Sequence, residues 1–286
     1  MEDYRDLSFC IIFEGGKLLK SLGKYSKNVG THVSFVLETD KITCLAKRQD
    51  GMVHGMYICA DELTSYFTRE PHSTITMSTK PFNEYLSNAC VNTRFKMFKK
   101  LGEEEEVIIE ITTNNSSPVM HSETLYASIE DDVESHMEEF SENMNNPALK
   151  TSTSSLKPIK TGISKSVESV QLNLSMIGIL EVIFRGDDDS IEGCFEIRDQ
   201  LRPCNHAYRI DILGEDLDEI NYQEETYLSV YLTKNTCTIF EFMKSVSGDS
   251  ALVSFIMSNN YSKLLISSRL DSLGEVFVII GNKPSK

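Results

Sequence analysis

Residues 238–257 of the chain read TIFEFMKSVSGDSALVSFIM, and the spacing of the apolar residues changes halfway along this stretch. The first half places four apolar residues at the i, i+3, i+4, i+7 positions of one helix face: Ile239, Phe242, Met243 and Val246. The second half, from 251 to 257, has the composition of a strand, and a second strand at 263–268 follows through an Asn-Asn pair. The stretch therefore predicts a helix followed by a pair of antiparallel strands.

Outside this stretch, the chain alternates between strand-like and helical segments. In the first half, helices are predicted at 17–27 and, with a proline near its start, at 81–90. The strands predicted around them are 7–13, 32–37, 42–47, 52–59, 73–77, 107–112 and 118–122. The second half is predicted to hold a helix within 160–169 and strands at 170–174, 178–184, 191–197, 208–212 and 227–232.

The two halves share an order of elements. Each is predicted to run helix, strands, helix, strands, and an Asn-Asn pair, at 114–115 or at 259–260, joins two strands after the second helix. On this alignment, the strand at 107–112 is equivalent to the strand at 251–257. The sequence therefore predicts an α+β fold of two similar domains, each with an antiparallel sheet and two helices.

The net charge of −15 is distributed unevenly. Residues 1–100 hold 14 Lys/Arg against 11 Asp/Glu, residues 101–149 hold 13 acids and no Lys or Arg, and residues 150–286 hold 14 against 19. Low hydrophobicity combined with high charge is typical of a mobile linker. We therefore predict a first domain at 1–126, an acidic and then Ser/Thr-rich connector at 127–158, and a second domain at 159–286.

The predicted helix at 17–27 has two distinct faces. One stripe is apolar and contains Leu18, Leu22 and Tyr25, whereas another is basic and contains Lys17, Lys20, Lys24 and Lys27. A face of four lysines can neutralise phosphates without reading bases, although a solvated face of an ordinary surface helix has the same pattern.

Several classes of protein do not fit the sequence. No apolar run approaches the roughly 20 residues that a membrane-spanning helix needs, and the acidic start is unlike a signal peptide. The seven cysteines are scattered without a C-x-x-C pair, which favours reduced thiols inside a cell over a disulfide framework or a zinc site. The chain has no phosphate-binding glycine loop, H-E-x-x-H or G-x-S-x-G motif, so we expect neither an enzyme nor a bound cofactor or metal.

The order of elements and the long acidic connector resemble the DNA sliding clamps. This family includes proliferating cell nuclear antigen, checkpoint clamp subunits and viral polymerase processivity factors. The stretch 239–255, with LLISSRLDSLGEVFVII at 264–280, is similar to the last helix, hairpin and final strand of that family, where an aspartate and a glycine introduce the closing strand. Residues 16–27 resemble its first lysine-bearing helix and residues 81–89 resemble its second.

The resemblance implies that the helices line the inside of a ring and that the connector runs beside a groove for partner peptides. It implies DNA contacts from lysines on or beside the candidate helices: Lys17, Lys20, Lys24, Lys27, Lys80, Lys165 and Lys244. It also implies partner contacts from the early strands and the connector: Met52, His54, Glu130, Asp131, Asp132 and Phe140. The expected partners are duplex DNA, a clamp loader, and a DNA polymerase or repair and checkpoint proteins, in the nucleus or at a viral replication site.

Two such domains form only part of a ring, so the resemblance requires association into a homotrimer or heterotrimer. The simplest contact places the segment 107–122 of one copy beside a strand of a neighbour.

Two other functions stay open. The divergence from replicative clamps and the long connector favour a checkpoint subunit, which acts only in a heterotrimer, or a viral clamp. The chain also fits an acidic, β-rich scaffold that binds partners through its connector and never encircles DNA. Substituting the lysines of the first helix would distinguish a DNA clamp from such a scaffold.

Overall fold

The computed structural model of the protein describes residues 4–47, 52–103, 105–113, 116–126, 133–175, 178–198, 210–211, 226–270 and 272–281. The chain forms two compact units. The first contains residues up to 131 together with 270–276, and the second contains 132–269 together with 277–286.

The first unit contains two helices and two groups of antiparallel strands. Its elements are β1 (Leu7–Glu14), α1 (Gly16–Val29), β2 (His32–Glu38), β3 (Lys41–Lys47), β4 (Val53–Cys59), β5 (Ser65–Thr68), β6 (His72–Ser78), α2 (Thr79–Leu86), β7 (Thr93–Lys100), β8 (Glu106–Thr113) and β9 (Val119–Thr124). The strands are ordered β5-β1-β7-β8-β9 in one group and β4-β3-β2-β6 in the other. The helices α1 and α2 pack against each other.

The second unit has the same kind of construction. Its elements are α3 (Val133–Glu138), β10 (Leu149–Ser152), α4 (Lys157–Gly162), β11 (Ser169–Ser175), β12 (Ile179–Arg185), β13 (Ile191–Arg198), β14 (Ile210–Asp211), β15 (Thr226–Thr233), α5 (Thr238–Ser247), β16 (Leu252–Met257), β17 (Lys263–Arg269) and β18 (Gly274–Gly281). Its strands are ordered β14-β13-β12-β11-β15 and β10-β16-β17-β18. Here α4 packs against α5.

The internal repeat is present in the strand order. The order β6-β2-β3-β4 corresponds to β15-β11-β12-β13, and β1-β7-β8-β9 corresponds to β10-β16-β17-β18. The predicted α+β class, with two similar units of antiparallel sheet and a packed pair of helices in each, is confirmed.

The predicted alignment of the two halves is wrong by one strand. The equivalent of β16 is β7, which the sequence reading missed, and not the strand at 107–112. Basic residues made β7 hard to recognise, because Arg94 and Lys96 alternate with the buried Phe95 and Met97. The short strands β5 and β10 were missed as well, since four residues carry too little periodicity to be detected.

The apolar stripe of α1 passes through Leu19 and not through Leu18. Leu19, Leu22, Tyr25 and Val29 are each about 5% exposed or less, and they cover the strands beneath the helix. At Gly23 a Cβ atom would lie 3.3 Å from the backbone of α2, so the absence of a side chain lets the two helices approach closely.

The first helix of the second unit lies earlier than the sequence reading placed it. That reading put a helix within 160–169, whereas α4 ends at Gly162. A Cβ at Gly162 would overlap the ring of Phe184 on β12, so the glycine allows the sheet to pack directly under the end of the helix. Ile163 then has extended backbone angles, and the chain leads into β11.

Candidate nucleic-acid interface

The solvent side of α1 is basic. Lys20, Lys24 and Lys27 are exposed, and we call these three side chains the α1 lysine face. From Lys20 to Lys27 the helix rises by about 10 Å, a distance over which one DNA strand carries about three phosphates. Within the part of the chain that the structure describes, no carboxylate pairs with these ammonium groups. Lys17 belongs to the first turn of the same helix, and its side chain lies outside the described residues.

The neighbouring helix α2 adds one exposed lysine, Lys80, in its first turn. Its Tyr85 ring stacks on His121 of β9 at a centroid distance of 3.8 Å, and the Tyr85 hydroxyl donates a hydrogen bond to Glu123. Burial and this hydrogen bond raise the pKa of Tyr85 to about 12. These contacts fix α2 against the last strand of its sheet and so hold Lys80 beside α1.

The predicted DNA-binding lysines of the second unit have different surroundings. Lys244 on α5 is half-buried and pairs with Asp249 at 2.9 Å. Lys165 is exposed in the loop after α4, where its carbonyl oxygen accepts a hydrogen bond from Lys234 Nζ at 3.1 Å. The structure therefore brings Lys20, Lys24 and Lys27 together on one face and leaves Lys244 in an ion pair.

The sequence reading missed two exposed lysines on α4, Lys157 and Lys160. Lys160 Nζ lies 2.6 Å from Glu241 Oε1 on α5. A proline at the start of α4 and the i, i+3 spacing of the two lysines are the local signals that could have revealed this helix.

The structure contradicts the predicted partner contacts of Met52 and His54. Their side chains are 4% and 1% exposed, at the start of β4 and just before it. The Tyr25 hydroxyl of α1 and His54 Nδ1 form a hydrogen bond, and burial raises the pKa of Tyr25 well above its usual value. Since α1 covers this end of β4, the two residues belong to the core and do not line a partner groove.

The predicted partner contact of Phe140 is also contradicted, because its ring is fully buried in the second unit. The turn around it is held by hydrogen bonds from Asn259 N–H to the Glu139 carbonyl at 2.7 Å and from Asn143 Nδ2 to the Met257 carbonyl at 3.1 Å. The described part of the connector is thus packed structure and not a mobile linker, since its apolar residues bury against β16 and β17. Glu130, Asp131 and Asp132 lie outside the described residues.

The ion pair between Glu139 and Lys263 adds a charged contact to this anchor at 2.5 Å. Immediately after the turn, β10 pairs with β16 along the edge of the sheet, with Leu149 opposite Phe255. The connector therefore supplies a strand to the second unit.

Neither a metal cluster nor a membrane span is found in the part of the chain that the structure describes. No three His, Cys, Asp or Glu side chains among these residues are grouped so that they could hold a metal ion. None of the described helices is long and apolar enough to cross a membrane.

Comparison with known proteins identifies the fold. No family model matches the chain, and no curated protein matches it by sequence. Among solved structures, proliferating cellular nuclear antigen from Entamoeba histolytica has a TM-score of 0.65 at 10% identity, over 97% of this chain and 99% of that one.

Two further structures agree with this match. The C-terminal region of FEN-1 bound to A. fulgidus PCNA gives a TM-score of 0.62 at 13% identity, over 97% of this chain and 99% of that one. The PCNA2–PCNA3 complex from Sulfolobus tokodaii gives 0.67 at 10% identity, over 96% and 100%. Almost the whole of each chain is matched, including both units. The protein therefore has the fold of the DNA sliding clamps.

Proposed function

We propose that the chain is a non-enzymatic subunit of a DNA sliding clamp, which encircles duplex DNA and tethers replication or repair proteins to it. The single observation that carries this proposal is the α1 lysine face, presented on a clamp fold by a helix that contains no acidic residue. In a chain of net charge −15, such a face is a local exception.

The chemistry of this face suits a clamp. Lysine ammonium groups neutralise backbone phosphates but make no base-specific hydrogen bonds, so the attraction does not depend on the DNA sequence. Binding of this kind weakens steeply with salt and permits movement along the duplex. The acidic charge elsewhere on the chain disfavours contact of other surfaces with DNA.

Encircling DNA requires association with other chains, and β9 offers an edge for it. Within the described residues β9 pairs with β8 alone, and its Val119 and Met120 are 55% and 58% exposed. The predicted segment 107–122 is thereby narrowed, because β8 is paired on both sides. An open edge with exposed apolar residues is a site at which a strand of a neighbouring chain can add to the sheet. The Sulfolobus complex, which contains two different PCNA chains, makes a heteromeric ring as reasonable as a homotrimer.

The tethered proteins and the loader belong to the same proposal. The A. fulgidus clamp bound to a region of FEN-1 supports partner binding by this fold. We propose a clamp loader and a DNA polymerase, or repair and checkpoint proteins, as partners, in the nucleus or at a viral replication site.

The first test measures the salt dependence of DNA binding. The α1 double variant, K20Q with K24Q, is compared with a control double variant, K41Q with K100Q, which removes two lysines outside the helices. Fluorescence anisotropy on a duplex is recorded over a salt series. We expect the slope of log K against log salt to fall by about 2 for the α1 double variant, at about 0.9 per phosphate contact, and to stay unchanged for the control. Equal effects of the two variants would overturn the proposal.

The second test concerns encirclement and assembly. An assembled clamp is expected to remain on closed circular DNA and to run off linear ends, so equal loss from both forms would refute topological linkage. Light scattering over a concentration series gives the mass of the assembly. A mass of about three chains indicates a homotrimer, whereas a monomer indicates that the ring needs different partner chains.

A further inference from the structure

The two helix pairs differ in how their lysines are neutralised. The α1 lysine face has no carboxylate partner within the described residues. In the second unit, Lys160 of α4 and Lys244 of α5 both form ion pairs, with Glu241 at 2.6 Å and with Asp249 at 2.9 Å. Equivalent helices in the two units therefore present different charge to the solvent.

The position of Glu241 is set by the packing of α5. It lies in the first turn, between the buried Phe240 and Phe242, so its own side chain points away from the core. A carboxylate in the first turn is also favoured by the helix dipole. Lys160 reaches Glu241 from the last turn of α4, and the ion pair joins the two helices across their solvent side.

The position of Asp249 is set by the turn that ends α5. Gly248 has a φ of +87°, which a residue with a side chain rarely adopts, and the chain reverses there. The Thr153 hydroxyl donates to the Gly248 carbonyl at 2.5 Å, and Ser154 N–H donates to the Asp249 carbonyl at 3.1 Å. This backbone anchoring keeps the Asp249 carboxylate beside Lys244.

We propose that Glu241 and Asp249 compete with DNA phosphates for Lys160 and Lys244, so that the α1 lysine face carries most of the phosphate contacts of the chain. This inference rests on the proposed function. When a lysine leaves a carboxylate for a phosphate, the freed carboxylate takes up a cation from solution, and this uptake offsets the counterion that the DNA releases. A paired lysine therefore adds little to the salt-dependent attraction.

The first unit provides a natural comparison for Glu241. Aligning the buried Phe82 of α2 with the buried Ile239 of α5 places Glu84 at the position of Glu241. Glu84 is exposed and has no ion-pair partner within the described residues. The two glutamates thus differ in whether they hold a lysine, while their charge and place on the helix are the same.

A double-mutant cycle on the full chain tests the inference, with the salt slope of binding to a duplex as the readout. We expect K160Q alone to leave the slope unchanged, because Lys160 is already neutralised. We expect E241Q to steepen the slope by about 0.9, the value for one new phosphate contact. Adding K160Q to E241Q returns the slope to that of the wild type. The matched control E84Q releases no lysine and leaves the slope unchanged.

The outcomes separate this inference from the proposed function. If the α1 double variant lowers the slope but K160Q alone lowers it by the same amount per lysine, the inference is overturned and the clamp proposal stands. An E241Q slope equal to that of E84Q also overturns the inference. If neither the α1 double variant nor any member of the cycle changes the slope, the proposed DNA contact itself is refuted. All of these side chains are at least partly exposed, and unchanged far-ultraviolet circular dichroism excludes misfolding as the cause.

Discussion

Replacing Phe140 with alanine tests whether the acidic connector is part of the core of the second unit. The ring is fully buried, and the turn around it is well defined. The Phe140 N–H donates to the Met137 carbonyl, and the Phe140 carbonyl accepts hydrogen bonds from the N–H groups of Asn143 and Met144, each at 3.0 Å. Removal of the ring leaves a cavity, because this hydrogen-bonded turn limits how far the surroundings can collapse.

The size of the effect follows from the burial of the ring and the rigidity of the turn. Truncation of a core phenylalanine to alanine lowers the free energy of unfolding by about 3–5 kcal/mol, and more where the site cannot collapse. The bonds from Asn259 to Glu139 and from Asn143 to Met257 hold the turn against β16 and β17, so we expect about 4 kcal/mol. For a unit of this size, that loss lowers Tm by about 8–16 °C.

The assay is thermal unfolding followed by circular dichroism and calorimetry, with M144A as the matched control. Met144 lies in the same turn but is 38% exposed, so its truncation is expected to change the free energy of unfolding by no more than about 0.5 kcal/mol. A loss below about 1 kcal/mol for F140A, or a loss equal to that of M144A, would refute the packing of the connector into the core.

Three further predictions concern other parts of the molecule. The variant G162A drives a methyl group into the aromatic ring that covers the end of α4, and we expect it to lose about 1–3 kcal/mol in urea unfolding, whereas G281A, which has open space, is expected to lose much less. Burial raises the pKa of Tyr66 to about 12, so its contribution to stability is complete below pH 10 and is lost as the pH rises towards 12; Y66F is expected to reduce this alkaline loss in pH-dependent unfolding. A hydrogen bond from Thr93 lowers the pKa of the Cys90 thiol, whereas burial raises the pKa of Cys237 to about 12. Iodoacetamide labelling at neutral pH, read by mass spectrometry, is therefore expected to modify Cys90 long before Cys237, and equal rates would contradict the assigned environments.

Local patterns in the sequence were sufficient for most of the fold. The i, i+3, i+4, i+7 spacing located α5 to within one residue of its observed bounds, Thr238–Ser247, and the lysine spacing located the helix that became α1. The order of these elements gave the two similar units and the resemblance to sliding clamps. These predictions succeed because helix periodicity and turn residues act over a few positions along the chain.

Other predictions failed where burial runs against local composition. The strand β7 has four basic residues in eight, and only pairing with β1 and β8 identifies it as an interior strand. The connector is acidic overall, yet its single phenylalanine, Phe140, finds a place in the core. His54 is polar and was assigned to a partner groove, but α1 folds over it and Tyr25 bonds to it.

The candidate DNA-binding site shows the same division. The sequence by itself determined that Lys20, Lys24 and Lys27 share one side of a helix, since residues three and four apart on a helix are neighbours in any fold. Only the tertiary structure decided that Lys160 and Lys244 meet carboxylates, because Glu241 lies 81 positions from Lys160 and reaches it only when α4 and α5 pack together. Charge along the chain is fixed by composition, but which charges remain available to a ligand depends on contacts between elements distant in sequence.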